Sequence, residues 1–371
     1  MRIGFIIIAL TILFSLNGYV ITRGWQALPP ASALRPVLLI SMLVSFAALL
    51  AGMIFANAMP AGMAKAVSFV GFSYMLIFVY LFLSFLLVDI VRIANYFIHF
   101  APAGMASFRL WSLIVTLGVT GIAMVVGNYK FNHPQVVTLN LSTDRPKQHK
   151  EITIVAVSDI HLGVSIDKKY LQKYVKLIND QHPDIVLLAG DASDRSVAPL
   201  INQHMDEEFR SIKAPLGVYA INGNHEHYAE TPDATADYLR KAGIIFLRDS
   251  VCLVDNSFYV VGRDDRTNRE RKNLKEIVTG LDESKPKILL DHQPYHLEEA
   301  EQNGIDLQIS GHTHNGQSFP GNLLVKNMYE LGYGYLKKGK THYYVSSGLG
   351  LWGPQYRIGT QSELVVIKLK L

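Results

Sequence analysis

The chain of 371 residues has one cysteine, Cys252, so no disulfide can form within it. That cysteine lies in the apolar run Ser250–Val254 and reads as a buried strand residue, not a reactive thiol. Net charge is also scarce. Thirty-five basic and 31 acidic residues leave +4, too small an excess for a nucleic-acid footprint, so no nucleic-acid partner is expected. No internal repeat or low-complexity tract is present. The glycine-rich stretch Ser346–Gly353 lacks the Gly-Lys-Ser/Thr ending and following helix of a nucleotide-phosphate loop. The sharpest shortage is local: charge is sparse before Asn128 and reaches the density of a soluble domain after it.

Four apolar stretches fill the uncharged third: about Ile3–Ile21, Val37–Ala56, Ala66–Val91 and Leu110–Gly127. Each approaches the ~20 residues that cross a ~30 Å hydrocarbon core as a helix. Pro29, Pro36, Pro60 and Pro102 fall in the breaks between them. Tyr19, Trp25, Tyr96, Trp111 and Tyr129 sit near the ends, as at a membrane interface. Residues 1–128 therefore read as a multi-pass region of four transmembrane helices, with the lipid bilayer as partner. Ala31-Ser32-Ala33 resembles a signal-peptide cleavage site, but the apolar run is longer than the usual ~7–15 residues and ends well before it, which favours an uncleaved span. Arg2, Lys65 and Lys130 flank one side; Arg23, Arg35, Arg92 and Arg109 flank the other. The positive-inside rule therefore gives no orientation. Asp89 and Arg92 are spaced to pair across one helix face at the end of the third span. Residues 129–150 read as a polar connector with a strand-like run, Gln135–Leu141.

From Glu151 to Leu371 the pattern is that of a layered α/β domain. Short β-branched runs appear at Ile152–Val157, Ile185–Leu188, Gly217–Ile221, Phe258–Val261, Ile288–Leu290, Leu307–Ile309, Tyr343–Val345 and Leu364–Leu369. Helical periodicity marks Lys168–Asn179, Pro199–Ile212 and Thr235–Lys241. Five of the runs lead into polar clusters: Ser158-Asp159-Ile160-His161, Gly190-Asp191-Ala192-Ser193-Asp194, Asn222-Gly223-Asn224-His225-Glu226, Asp291-His292-Gln293 and Gly311-His312-Thr313-His314. In layered α/β folds the C-terminal ends of strands converge on the active crevice. Alternation along an extended chain puts Asp159 and His161 on one side, and likewise His312 and His314 if the chain stays extended. A carboxylate such as Asp191 can bridge two ions. Imidazole and oxygen donors suit Mn, Fe, Zn or Co better than Ca or Mg. Two such divalent ions can clamp a phosphoryl group and generate hydroxide near neutral pH.

The ordered set of clusters resembles the calcineurin-like metallophosphoesterase superfamily, from about Ile152 to Leu371. The resemblance implies a four-layer double β-sandwich flanked by helices. It also implies an enzyme, a metal-dependent phosphoesterase in which a metal-bridging hydroxide attacks phosphorus. Asp159, His161, Asp191 and His314 would hold one metal, and Asp191, as the bridge, with Asn224, His292 and His312 the second. His225 would be the catalytic acid that protonates the leaving oxygen. Asp194 reads as orienting a ligand or capping a turn, and His227, Asp291 and His296 as structural or supporting groups. Arg357 reads as a surface arginine. Membrane-bound relatives include hydrolases of the pyrophosphate in UDP-2,3-diacylglucosamine. The resemblance thus extends the expectation to a phosphorylated, lipid-linked substrate and a cytoplasmic catalytic domain. The competing readings are a non-catalytic scaffold, a regulatory domain on a transporter, and an outward-facing enzyme acting on phospholipid or wall phosphodiesters. No ligand is missing, as the first would require, and no mid-span charge marks the second.

Overall fold

The computed structural model describes residues 2–100, 105–145, 150–229, 231 and 233–371. The chain divides into two compact units, Met1–Val126 with Gly353–Gln355, and Gly127–Trp352 with Tyr356–Leu371.

The first unit is built from α1 (Arg2–Ala27), α2 (Leu34–Phe55), α3 (Ala61–Ile98) and most of α4 (Ala106–Asn132). Among the described residues, α2, α3 and α4 are long and apolar enough to cross a membrane, against the four spans expected. Part of the first expected span lies on side chains outside the described set. Small residues bring α2 and α3 together: a Cβ on Gly71 would lie 2.4 Å from the Leu49 Cα. The expected Asp89–Arg92 pair forms at 3.0 Å, and Arg23 of α1 joins it at 2.7 Å from Asp89.

The second unit holds twelve strands: β1 (Gln135–Ser142), β2 (Glu151–Val157), β3 (Ile185–Leu188), β4 (Val218–Ala220), β5 (Ile245–Phe246), β6 (Ser250–Val254), β7 (Phe258–Gly262), β8 (Lys287–Leu290), β9 (Leu307–Ser310), β10 (Gly334–Lys338), β11 (Thr341–Val345) and β12 (Glu363–Lys370). Its helices are α5 (Lys168–Asn179), α6 (Ala198–Asn202), α7 (Asp206–Arg210), α8 (Asn224–His227), α9 (Ala234–Lys241), α10 (Leu274–Val278), α11 (Leu297–Gln302) and α12 (Gly321–Met328). The strands form two six-stranded sheets, ordered β1-β12-β2-β3-β4-β5 and β10-β11-β9-β8-β7-β6.

Strand alternation explains the layering. Ile152, Ile154, Ile185, Leu187, Phe258 and Val260 point into the core between the sheets. Their neighbours Val155, Val157, Val186 and Leu188 point outward onto α5 and α9, and Val261 and Leu289 onto α10 and α11. Both faces of the central strands are therefore buried, which is why they read as unbroken apolar runs. Each fully buried aliphatic contributes ~1.5–3 kcal/mol by leaving water. Helix, sheet, sheet and helix stack in four layers, as the resemblance implies.

Local signals hold at α5. Asp167 caps it by accepting from the amides of Lys169 and Tyr170, and Leu171, Tyr174, Val175 and Ile178 form its buried face. The expected helix over Pro199–Ile212 is instead two short helices, parted where His204 turns to φ 51°. The expected connector needs a larger correction. β1 pairs in parallel with β12 along its whole length, and Phe131 is fully buried beside α5. The Gln361 amide donates to the carbonyls of Lys130 and His133. The second unit thus begins at Gly127, well before Glu151. Cys252 is half-buried on β6, not buried as expected.

Candidate metal centre

Loops after β2, β3 and β4 of one sheet and β8 and β9 of the other meet at the strands' C-terminal ends. The first two are laced by backbone bonds: Asp159 and His161 donate to the carbonyls of Gly190 and Asp191, and Leu162 to that of Ala192. Extended alternation is not what aims the side chains. Asp159, His161, Asp191, His312 and His314 all have φ between 49° and 72°. Such left-handed turns cost non-glycine residues ~1–3 kcal/mol each and persist where the surroundings fix them. Glycines provide the room. A Cβ on Gly223 would lie 2.1 Å from Asp191 Oδ1, and one on Gly311 would lie 2.3 Å from Asp159 Oδ2.

Asp159, His161 and His314 offer donor atoms within 4.8 Å of one another, as do Asp159, Asp191 and His292. His314 Nε2 is 3.5 Å from Asp159 Oδ1 and 3.1 Å from His161 Nε2. His292 Nε2 and His161 Nε2 lie 3.2 and 3.7 Å from the same atom, Asp191 Oδ2. The other oxygen of Asp191 accepts the His225 amide at 2.9 Å. One carboxylate oxygen thus faces two donor groups. Asn224 and His312 meet on the second side, with His312 Nδ1 2.7 Å from Asn224 Oδ1.

Two observations test whether these residues fit divalent ions. His292 Nδ1 donates to the Ala189 carbonyl at 2.7 Å, while its Nε2 is buried without a hydrogen-bond partner beside Asp191. That is the orientation a metal-ligating histidine takes. Burial pushes His161 down to about 3 and also lowers His314 and His312, whereas at His292 burial is outweighed by Asp191, which raises it well above the usual histidine value. Neutral imidazoles are the form that binds metal. Burial opposes ionisation of Asp191, but His292 and His161 hold it well below the usual carboxylate range. The donor set of imidazole nitrogens and carboxylates therefore fits divalent metal.

His225 also offers a ring nitrogen within 4.8 Å of donor atoms on His161 and Asp191, but its other nitrogen is held from outside the cluster. Its Nδ1 sits 2.6 Å from the Asp194 carbonyl and 3.0 Å from the Asp194 carboxylate, so Nδ1 carries a proton. Burial works against a second proton, yet Asp194 and Asp191 push His225 up to about 9. Asp194 thus orients this histidine. His227 pairs with buried Asp264 at 3.0 Å, and Asp291 with Arg263 and Arg271. His296 is exposed just ahead of α11.

Two organising residues were not legible. Arg357 is fully buried, not on the surface. Its guanidinium donates to the carbonyls of His314, Gly348 and Gly350 and to Ser362 Oγ. Glu226 is buried and accepts the amides of Asp191, Ser193 and Gly223, tying the second and third loops together. Its place in the Gly-Asn-His-Glu run was the available signal.

Residues 152–316 match the family model described as calcineurin-like phosphoesterase. A metallophosphoesterase of Campylobacter jejuni is 33% identical over 248 residues, 66% of this chain and 65% of that one. A transmembrane protein with metallophosphoesterase domain from Danio rerio is 30% identical over 287 residues, 73% of this chain and 65% of that one. A metallophosphoesterase of Aquifex aeolicus is 29% identical over 260 residues, 67% of this chain and 98% of that one. The chain spans just under two thirds of the length of the first two relatives.

Proposed function

We propose that this chain, which carries a calcineurin-like metallophosphoesterase domain and membrane-crossing helices, hydrolyses a phosphoester or pyrophosphate bond of a lipid-linked substrate with two divalent ions. The observation that carries this reading is Asp191 Oδ2, faced by His161 on one side and His292 on the other. A shared carboxylate of this kind is what a two-ion clamp requires.

Asp159, His161 and His314 would hold one ion, Asn224, His292 and His312 the other, with Asp191 between them. Bound ions would neutralise phosphoryl charge and activate water as the nucleophile. The protein's own part is positional and protolytic. Glu226 and Arg357 fix the loops that present the ligands. His225, held through Nδ1 by Asp194, is left with Nε2 to give a proton to the leaving oxygen. That donation matters most for leaving groups that are poor without a proton.

The membrane-crossing helices favour a substrate that lies in the bilayer, because tethering raises effective concentration at that surface. Within this class the reading names the pyrophosphate of UDP-2,3-diacylglucosamine, with the catalytic domain on the cytoplasmic face. UMP release by the purified full-length protein and a reporter fused after Leu371 test those two points. An extracytoplasmic C-terminus, or no UMP release with metals bound, removes them and leaves the general activity standing.

Asp191→Asn tests the core of the proposal. The variant should lose most bound metal and at least ~100-fold in turnover of bis-p-nitrophenyl phosphate. Full metal content with unchanged turnover would refute the assignment.

A further inference from the structure

Among the described residues of the second unit, and apart from tyrosines, exposed large apolar side chains are concentrated in one place. Val136, Ile201, Ile245 and Leu253 are exposed singly, each on a different element. Phe319, Leu323, Leu324 and Met328 fall within ten residues, with 49%, 50%, 64% and 65% of their surface exposed. At ~100° per residue, Leu323, Leu324 and Met328 share an arc of ~140° on α12. Val325, on the other side, packs against Gly332. The helix therefore turns its apolar stripe outward, the reverse of a helix on a soluble domain. A lone exposed leucine needs no explanation, but a stripe does.

The stripe is fixed to the metal centre. The first turn of α12 rests on Gly316, two residues after His314, where a Cβ would lie 2.2 Å from the Asn322 nitrogen. Thr313, between the two histidine ligands, donates from its hydroxyl to the Gly332 carbonyl at 2.6 Å. The segment from 313 to 332 is thus closed on itself, with a metal-ligand turn at one end and the stripe along its outer side.

We propose that the outward stripe of α12 receives the hydrocarbon chain of the substrate lipid while the lipid's phosphate lies at the metal centre. This rests on the hydrolase reading and narrows its substrate to acylated esters. Three features select lipid over a protein partner. The same chain has three membrane-crossing helices, so lipid is always at hand. Leucine and methionine are flexible apolar side chains that fit a mobile chain. Lys326, exposed on the same helix and without a partner among the described residues, suits an anionic headgroup.

The test uses full-length, metal-loaded protein in one non-ionic detergent, with methyl and hexadecyl p-nitrophenyl phosphate. The two diesters have the same scissile bond and differ only in the chain. Wild type should show a higher kcat/KM for the hexadecyl ester. Leu323→Gln with Leu324→Gln should cut that preference about tenfold, through KM, and leave methyl ester turnover unchanged. Met328→Gln is the independent variant, expected to act in the same direction. No chain preference in wild type overturns the inference. Equal loss on both esters does so too, because α12 would then only shape the site. So does a change in self-association by light scattering with the preference intact, which would assign the stripe to a second copy. No turnover of either ester by wild type with both ions bound would instead overturn the hydrolase reading, and this inference with it.

Discussion

At the scale of single residues, the centre depends on polar groups that hold other polar groups. Asp194→Asn should leave both ions bound but release His225 from its fixed direction. Hydrolysis of an alkyl ester should fall ~10–100-fold, and that of a nitrophenyl ester much less, because the latter's oxygen departs without a proton. Equal losses on the two would remove His225 from the acid role. His227 offers a pH test away from the ligands. Its hydrogen bond to Asp264 raises its pKa above the usual histidine value. The stability it contributes is therefore present below pH ~6.5 and is lost as pH rises through its folded value. His227→Gln should cost about 1 kcal/mol near pH 6 and less at pH 9, read as the change in Tm at each pH. The same scale shows what sequence could not supply. Arg357 follows a glycine-rich loop and has no apolar neighbour pattern that marks it as buried. Acceptors brought in by the tertiary fold, the carbonyls of His314, Gly348 and Gly350 and the hydroxyl of Ser362, make its burial tolerable.

At the scale of elements, strands were legible and loop geometry was not. The run Ile185–Leu188 matches the observed strand end to end, because burial on both faces leaves an uninterrupted apolar signature. β10, with Gly334, Lys337 and Lys338 and little buried surface, left no such mark. β5 is two residues long, too short for any periodicity. The loops converge by left-handed turns, which pattern arguments from extended chain cannot foresee. Arg357→Lys tests the element that secures them. Lysine cannot reach three carbonyls with one fork, so it should leave buried acceptors unsatisfied and cost ~2–4 kcal/mol. Turnover should fall as well, since the His314 carbonyl is one of the acceptors. A Tm and kcat both unchanged would mean that other contacts hold the loops.

At the scale of the whole molecule, the two units have separate cores. One apolar cluster lies entirely before residue 127, and the clusters on and between the sheets lie entirely after it. A chain starting at Gly127 should therefore fold, give a cooperative melt and hydrolyse a soluble diester. A chain starting at Glu151 should not. It would lose β1 from the edge of β12 and take Phe131 out of the core, exposing a strand edge and an apolar face. Circular dichroism melts and gel filtration of the two shortened chains decide this. Equal behaviour would place the boundary where composition alone suggests it.

Composition and order determined a good deal of this protein. Runs of ~20 uncharged residues dictate helices in a bilayer, because only internal hydrogen bonds satisfy the backbone there. Short apolar runs interleaved with helical periodicity dictate a layered α/β domain. Five strand ends carrying Asp, Asn and His offer candidate donors of a metal centre, since the C-terminal ends of strands converge in layered α/β folds. Tertiary structure decided the rest. It chose which oxygen of Asp191 faces both donor groups, gave His225 its orientation through Asp194, buried Arg357 and turned the stripe of α12 outward. Each of these depends on distances between residues far apart in the chain. Such distances are set by how two sheets and their loops pack, which no local period encodes.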